Sequence, residues 1–386
     1  MQKLKKKKIL LIIVLISAFF VIPIEEKDPN QPSLEVSSII DPIYMGWPVY
    51  ENTSGDARDV FVSGYYAYVA DGDGGLAIFD VSDPTNPGMP VYEGTNGFAD
   101  SVFVRGDYAY MGNHDEGLAI ISILNPANPG PTFYENTTGY ARGVYVSGDF
   151  AYVADGSPGL AIINVSNPTN PGAPVYVNTT GVAYDVYVSG NYAYVTDYEL
   201  GRLVVIDISD PTNPGTPVYE TINGYPLGVY VSGNYAYVAM EKWVTGSNGL
   251  AVVDISNPTN PGLTVYATTF HGAEDVYVSG DYAYLAATWD LVFIDVSDPT
   301  NPGTPVLAPT TDRAHGVYVS GDYAYVAGGD DGLAIFEIID PNPTGPDPGP
   351  PVGGVPFGNS FLIIIGLSVI CLIIAKKRQI ARESRK

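Results

Sequence analysis

The chain of 386 residues contains one cysteine, Cys371, which lies in an apolar run near the C-terminus. Everything before that run is therefore without a disulfide framework, and its stability has to come from packing. Histidine is almost as scarce. His114, His271 and His315 each stand alone in sequence, with no spacing that assembles a zinc set. Positive charge is missing from the middle. Of the 18 Lys and Arg, Lys3 and Lys5 to Lys8 stand at the start and six follow Ala375, which leaves seven between the ends against 41 Asp and Glu. That balance excludes nucleic acid and anionic surfaces as partners and suits a high-salt or cation-rich exterior. Also missing are a G-x-S-x-G, a P-loop, a paired-carboxylate signature and any cofactor motif. No sustained 3.6-residue period runs through the body of the chain, so helix is not expected there.

What the chain has is one unit, repeated. Ala57 to Tyr92 reads A-R-D-V-F-V-S-G-Y-Y-A-Y-V-A-D-G-D-G-G-L-A-I-F-D-V-S-D-P-T-N-P-G-M-P-V-Y. Its turn glycine recurs at Gly64, Gly106, Gly148, Gly190, Gly233, Gly280 and Gly321, at steps of 42, 42, 42, 43, 47 and 41 residues. Each unit holds four β-like runs, here Asp59 to Ser63, Tyr66 to Ala70, Leu76 to Ser82 and Pro90 to Tyr92. Between them stand Ser63-Gly64-Tyr65, Asp71 to Gly75, and Asp83-Pro84-Thr85-Asn86-Pro87-Gly88, which cannot continue a ladder. Four short strands in about 42 residues is the size of a propeller blade, with a β-solenoid as the runner-up.

The ends of the repeat array favour a ring. The seventh unit stops at Asp340-Pro341 without a P-V-Y run, and that run appears instead at Pro48-Val49-Tyr50, ahead of the first unit. An offset of one strand is useless to an open solenoid. In a ring it lets the N-terminal strand complete the last blade and removes both sheet edges. The expected fold is all-β: a seven-bladed β-propeller of four-stranded blades over residues 45–341, with hydrophobic helices at both ends.

The third runs read L-A-I-F-D-V-S at Leu76, L-A-I-I-N-V-S at Leu160, L-V-V-I-D-I-S at Leu203, L-A-V-V-D-I-S at Leu250 and L-V-F-I-D-V-S at Leu291. With S-G-[DN]-Y-A-Y-V-A before and [DN]-P-T-N-P after, the chain resembles the LVIVD-repeat proteins over all seven units. Unit two departs with L-A-I-I-S-I-L and unit seven with L-A-I-F-E-I-I. The resemblance implies a propeller of the prokaryotic cell surface. It implies no catalytic residue.

The ends give an address. Residues 1–24 combine Lys3 and Lys5 to Lys8 with an apolar run from Ile9 to Ile24, a signal peptide or an uncleaved signal anchor. A linker follows over 25–44. Residues 342–358 are a Pro/Gly-rich spacer, 359–375 are an apolar transmembrane or sorting segment, and 376–386 form a basic cytoplasmic tail. Positive charge at both ends puts the propeller outside the cell, held by a terminal segment in the membrane. The sequons at Asn52, Asn136 and Asn178 fall near loops, whereas Asn164 stands where other units have Asp.

Candidate functional residues come from comparing the units. On one side of the ring, face Y, lie the first hairpin turns and the D-P-T-N-P-G loops, which are nearly uniform. On the other, face X, lie the starts of the first strands and the loops after the second. Ala57, Ala99, Ala141, Ala183, Ala273 and Ala314 recur just before the first strand, as a crowded axis would require. The residue that follows is unequal: Arg58, Asp100, Arg142, Tyr184, Leu227, Glu274 and His315. If the first strand is innermost, these ring the channel mouth. Large aromatics in the variable loops, Tyr198, Trp243 and Trp289, offer a stacking patch for a sugar or a protein. Asp71-Gly72-Asp73-Gly74 lacks the further ligands of a calcium loop and reads as turn chemistry. Two functions are weighed: a non-catalytic surface module binding a glycan or protein, without metal or cofactor, and an extracellular hydrolase or lyase at the channel mouth. The second needs Glu274 or Asp100 within hydrogen-bond reach of His315 or an arginine.

Overall fold

The computed structural model describes residues 44–46, 48–241 and 247–339. The expected signal, the linker up to residue 43, the spacer, the apolar C-terminal segment and the basic tail lie outside those residues, as does Trp243. The described residues contain strands and no helix. They hold no helix long and apolar enough to cross a membrane.

Seven antiparallel sheets follow one another, six of them with four strands in sequence order and the last with its outer edge supplied from the N-terminal side. Blade 1 comprises Asp59–Ser63, Tyr66–Ala70, Leu76–Asp80 and Val91–Glu93. The sequence periods account for this. Alternating D-V-F-V-S buries Val60 and Val62 and turns Asp59 and Phe61 the other way. In Leu76–Asp80 the first four residues are apolar and buried on both faces, and only the terminal Asp80 is exposed. The hairpin glycines all have positive φ, between 54° and 60°, which a residue with a Cβ adopts only under strain. At Asp83, Oδ1 accepts from the Thr85 amide and hydroxyl, and this Asx-type closure recurs in four further blades, at Asn167, Asp210, Asn257 and Asp298. Asn164 plays the part of its aspartate counterparts, its Oδ1 accepting from Ser166 as that of Asp80 does from Ser82.

The first strands lie innermost. Asp59–Ser63, Ser101–Arg105, Val144–Ser147, Ala183–Ser189, Tyr225–Ser232, Ala273–Ser279 and Gly316–Ser320 each adjoin the next, and the last adjoins the first. The ring therefore closes. Val49–Glu51 pairs antiparallel with Leu333 to Ile335, the third strand of blade 7. A second short strand, Tyr44–Met45, pairs further along the same partner with Ile338 and Ile339. The fourth strand of the last blade is thus supplied by the N-terminal side in two pieces, where a single run is expected from Pro48 to Tyr50.

The core is between blades rather than within them. Seven apolar clusters each straddle one seam. At the seam of blades 1 and 2, Tyr68, Ala70, Leu76 and Ile78 meet Val102, Val104, Met111 and Ile121. The recurrent alanines belong to these seams, and their role differs from the expected one. Ala57 bridges to Gly329, Ala99 to Gly72, Ala141 to His114 and Ala183 to Gly156, each by backbone pairing across blades. A larger side chain there has no room because a neighbouring blade, not the channel axis, closes over it.

Candidate functional site

Two layers of inner-strand side chains line the channel below face X. Two residues before the end of each inner strand stands an aromatic, and together these form a closed girdle: Phe61, Phe103, Tyr145, Tyr187, Tyr230, Tyr277 and Tyr318. Neighbouring rings are 4.6 to 5.0 Å apart, with Tyr318 meeting Phe61 at 4.7 Å to close the circle. Tilted pairs at this separation are favourable, by about 0.5–1.5 kcal/mol each. Burial raises the hydroxyl pKa of Tyr187 and Tyr277, and neighbouring tyrosines add to it.

Two residues nearer face X, the inner strands carry Asp59, Ser101, Gly143, Asp185, Gly228, Asp275 and Gly316. Aspartate and glycine alternate because space demands it. A Cβ on Gly228 would stand 2.7 Å from Asp275, and one on Gly316 would stand 2.7 Å from Asp59. Each carboxylate accepts a backbone amide of the following blade: Asp59 from Val102, Asp185 from Val229 and Asp275 from Val317, at 2.8 to 2.9 Å. Water-sized space reaches these groups from the channel, but protein surrounds it. Burial pushes Asp59 up to about 7 and Asp185 up to about 6, against the pull of their amide donors. Asp275 is raised well above the usual range by burial and by Asp59 and Asp185.

Above this layer the expected mouth residues do come together. Arg58 Nε lies 3.3 Å from Asp100 Oδ1, and Arg142 Nη1 lies 3.5 Å from Asp100 Oδ2. Glu274 Oε2 accepts from His315 Nδ1 at 2.6 Å, and Arg313 donates to Glu274 Oε1. Arg58 Nη1 is 3.0 Å from both nitrogens of His315, a placement over the ring face. The Arg142 guanidinium sits 4.8 Å from the Tyr184 ring centre. Burial alone would raise Asp100, but His114, Arg58 and Arg142 outweigh it and hold it below the usual carboxylate range. Glu274 is likewise lowered, since His315, Arg313 and Arg58 outweigh its burial. Three inner strands carry a β-bulge at this level, between Ala183 and Val186, Pro226 and Val229, and Ala273 and Asp275. A bulge re-aims side chains, and here it does so around Tyr184, Leu227 and Glu274.

The mouth opens into a bowl of about 630 Å³, lined among others by Arg58, Arg142, Tyr184, Tyr198, Leu227, Glu274 and Arg313. Tyr198 packs between Tyr184 at 5.9 Å and Tyr225 at 5.1 Å. A chamber of about 80 Å³ lies beneath, reached by Asp100 and His315. Trp289 is 48% exposed in the turn between Tyr282–Ala287 and Asp290–Asp295, and it does not line the bowl. Among the described residues no group of three or more His, Cys, Asp or Glu is placed to hold a metal ion. Asp71 ties loops instead, its Oδ2 accepting from Ser54 and Gly55.

Sequence reasoning overlooked Arg313, Glu241 and Glu199 of the bowl, and it overlooked His114. The last had a signal. His114 occupies the place of Gly72, Gly156 and Gly329, and it keeps their positive φ, at 45°. A side chain held there under strain, 3.4 Å from Asp100, marks a position set by something other than folding ease.

The sequence profile of the LVIVD repeat matches residues 54–91, 96–137, 138–179, 180–217, 223–269, 272–305 and 313–347. No curated protein matches the chain. Solved structures match it widely. The structure of U3-55K is 10% identical over 76% of this chain and 98% of its own, with a TM-score of 0.61. The hydrazine synthase of Kuenenia stuttgartiensis is 12% identical over 75% of this chain and 97% of its own, at 0.62. A chain of the mitotic checkpoint complex is 10% identical over 83% of this chain and 98% of its own, at 0.62. At such identities the likeness carries the fold and nothing further.

Proposed function

The chain belongs to the LVIVD repeat family, and on that footing we propose that its propeller is a non-catalytic binding module that takes its ligand in the face X bowl. The observation that carries this is the inequality of one ring. Seven repeats supply near-identical strands and face Y loops, yet the position after the recurrent alanine varies, and of its residues Arg58, Arg142, Tyr184 and Glu274 line the bowl while Asp100 and His315 reach the chamber beneath. Charges there are paired with one another, and Tyr184 and Tyr198 offer ring faces. Paired planar charges beside aromatic rings suit a neutral, hydroxyl-rich or peptide ligand better than a highly charged one. The family resemblance and the basic terminal segments support a location at the cell surface, with the propeller outside and a terminal segment in the membrane.

Screening the propeller against glycan and protein arrays tests the reading. The strongest ligand is expected to lose at least tenfold in affinity on Tyr198→Ala, about 1.4 kcal/mol, with an unchanged melting temperature. Undiminished binding by a stable Tyr198→Ala protein rejects the bowl. Trp289, exposed outside the bowl, is the second residue to test, with Trp243 beside it on the sequence expectation alone.

The buried Glu274 and His315 pair favours one second reading, an acid–base site in a hydrolase or lyase. Against it, Arg58 covers the imidazole and Arg313 holds the carboxylate. The nearby Ser101 hydroxyl donates to the Arg142 carbonyl and so is not presented as a nucleophile. Turnover of an array ligand that disappears in His315→Gln would establish the enzyme.

A further inference from the structure

The bowl has a second position at which the repeats are unequal. Six places after the aromatic that opens each second strand stand Gly72, His114, Gly156, Tyr198, Glu241, Thr288 and Gly329. Glycine suits the position, since Gly72, Gly156 and Gly329 all take positive φ there. The adjacent blades 4 and 5 carry Tyr198 and Glu241 instead, and both side chains line the bowl.

The two belong to one row. Tyr184, Tyr198 and Tyr225 stand ring beside ring, with centres 5.9 and 5.1 Å apart and planes tilted by 32° and 37°. Arg142 closes one end of the row, its guanidinium 4.8 Å from the Tyr184 ring centre. A cation is drawn to the negative face of an aromatic ring, and at this end the chain supplies that cation. At the other end Tyr225 and Glu241 stand opposite each other in the ladder of blade 5. The Glu241 side chain is half-buried, and among the described residues it makes no hydrogen bond or ion pair. Burial and the charge of Glu274 raise its pKa, opposed only by Arg313, which is itself held by Glu274. Glu199, exposed on the same side of the bowl, likewise has no cation partner among the described residues. The remaining carboxylates of the mouth are compensated, Asp100 by Arg58 and Arg142 and Glu274 by Arg313.

We propose that the Glu241 end of the bowl seats an ammonium group of the ligand, its N–H groups donating to the Glu241 carboxylate and its charge resting against the rings of Tyr198 and Tyr225. The inference rests on the bowl being the binding site and specifies the chemistry that the bowl takes: a lysine side chain or an amino sugar, in a ligand otherwise uncharged. A carboxylate beside aromatic rings recognises such a group twice over, through charge-assisted hydrogen bonds and through the ring faces. A hydroxyl in the same place would leave the half-buried carboxylate uncompensated, and an anion would meet Glu199 and Glu241 with like charge. Among the described residues no third His, Cys, Asp or Glu joins these two to hold a metal ion. The row of tyrosines then has a cation at each end, Arg142 from the chain and the ammonium from the ligand.

Ligand-observed NMR titration of the full chain with small probes tests this. The amines are Nα-acetyl-lysine methylamide and glucosamine, and their uncharged controls are the Nε-acetylated lysine derivative and N-acetylglucosamine. At least one amine is expected to bind about tenfold or more tightly than its acetylated control, and which amine does so names the source. Glu241→Gln is expected to abolish that preference, with a melting temperature no lower than that of the wild type because the half-buried charge it removes has no partner to lose. Glu241→Asp, which keeps the charge, is expected to retain part of the preference. Equal binding of each amine and its control by the wild-type chain overturns the proposal, as does a preference undiminished in a folded Glu241→Gln chain. Tyr198→Ala separates this proposal from the reading beneath it. An array ligand weakened by Tyr198→Ala but untouched by Glu241→Gln leaves the bowl as the binding site and overturns the ammonium seat. An array ligand untouched by both substitutions overturns the two together.

Discussion

At the scale of single residues, the channel carries two sets of carboxylates whose titrations oppose each other. Asp59 and Asp185 keep their protons in the fold up to about 7 and about 6, while in the unfolded chain they ionise near 4. The folded state binds more protons between those values, so this stabilisation is full at low pH and is lost as pH rises through about 7. Asp100 and Glu274 are lowered in the fold, so their contribution is present above the ordinary carboxylate range and is lost on further acidification. The melting temperature is therefore expected to be highest at mildly acidic pH and to fall toward pH 8. Asp59→Asn should flatten that alkaline fall and raise the melting temperature at pH 8, provided the amide still accepts from Val102. A wild-type melting temperature that rises steadily from pH 5 to pH 8 contradicts the assignment. Glu274→Gln should act oppositely, costing about 1–3 kcal/mol at neutral pH by leaving Arg313 and His315 without their carboxylate. Thermal melts of both variants across pH 4 to 8 check the pair. The mouth residues were legible in sequence because repeats make inequality visible. The alternation of Asp59, Asp185 and Asp275 with Gly143, Gly228 and Gly316 was visible too, but its cause was not. Only the ring places each glycine against the next blade's carboxylate.

At the scale of elements, the closing strand decides whether the ring is a ring. Val49–Glu51 and Tyr44–Met45 cover the edge of Leu333–Ile339, and among the described residues no other strand pairs there. Deleting residues 40–52 is expected to expose that edge and to yield aggregates in gel filtration, with a lower melting temperature for any soluble fraction. A monomeric deletion with an unchanged melt would mean that closure contributes nothing to stability. The offset of one strand in the sequence foretold the pairing. It did not foretell the split into two pieces, because Tyr44–Met45 lies outside the repeat pattern and pairs only where Leu333–Ile339 runs longer than its counterparts. Nor did it foretell the bulges at Tyr184, Leu227 and Glu274. Their inner strands have the same apolar alternation as the rest, and a bulge is a property of two strands in register.

At the scale of the whole molecule, each blade holds its neighbours and none stands alone, since every apolar cluster straddles a seam. A cavity at one seam should therefore loosen the entire ring. Ile121→Ala, in the seam of blades 1 and 2, is expected to cost about 2–5 kcal/mol and to melt in a single transition. Two resolved transitions would show that blades unfold piecemeal. The proposed cell-surface location predicts that protease added to intact cells removes the propeller, and protection until lysis would reverse that topology. The sequence by itself determined the number of blades, their four strands, the order of closure and the positions that vary, because period, turn residues and offset are all written along the chain. Which varying residues meet was decided by the tertiary structure. Arg58 reaches His315 across 257 positions, and Tyr198 joins the bowl while Trp289 does not, because bending a linear array into a ring makes neighbours of residues that no local pattern relates.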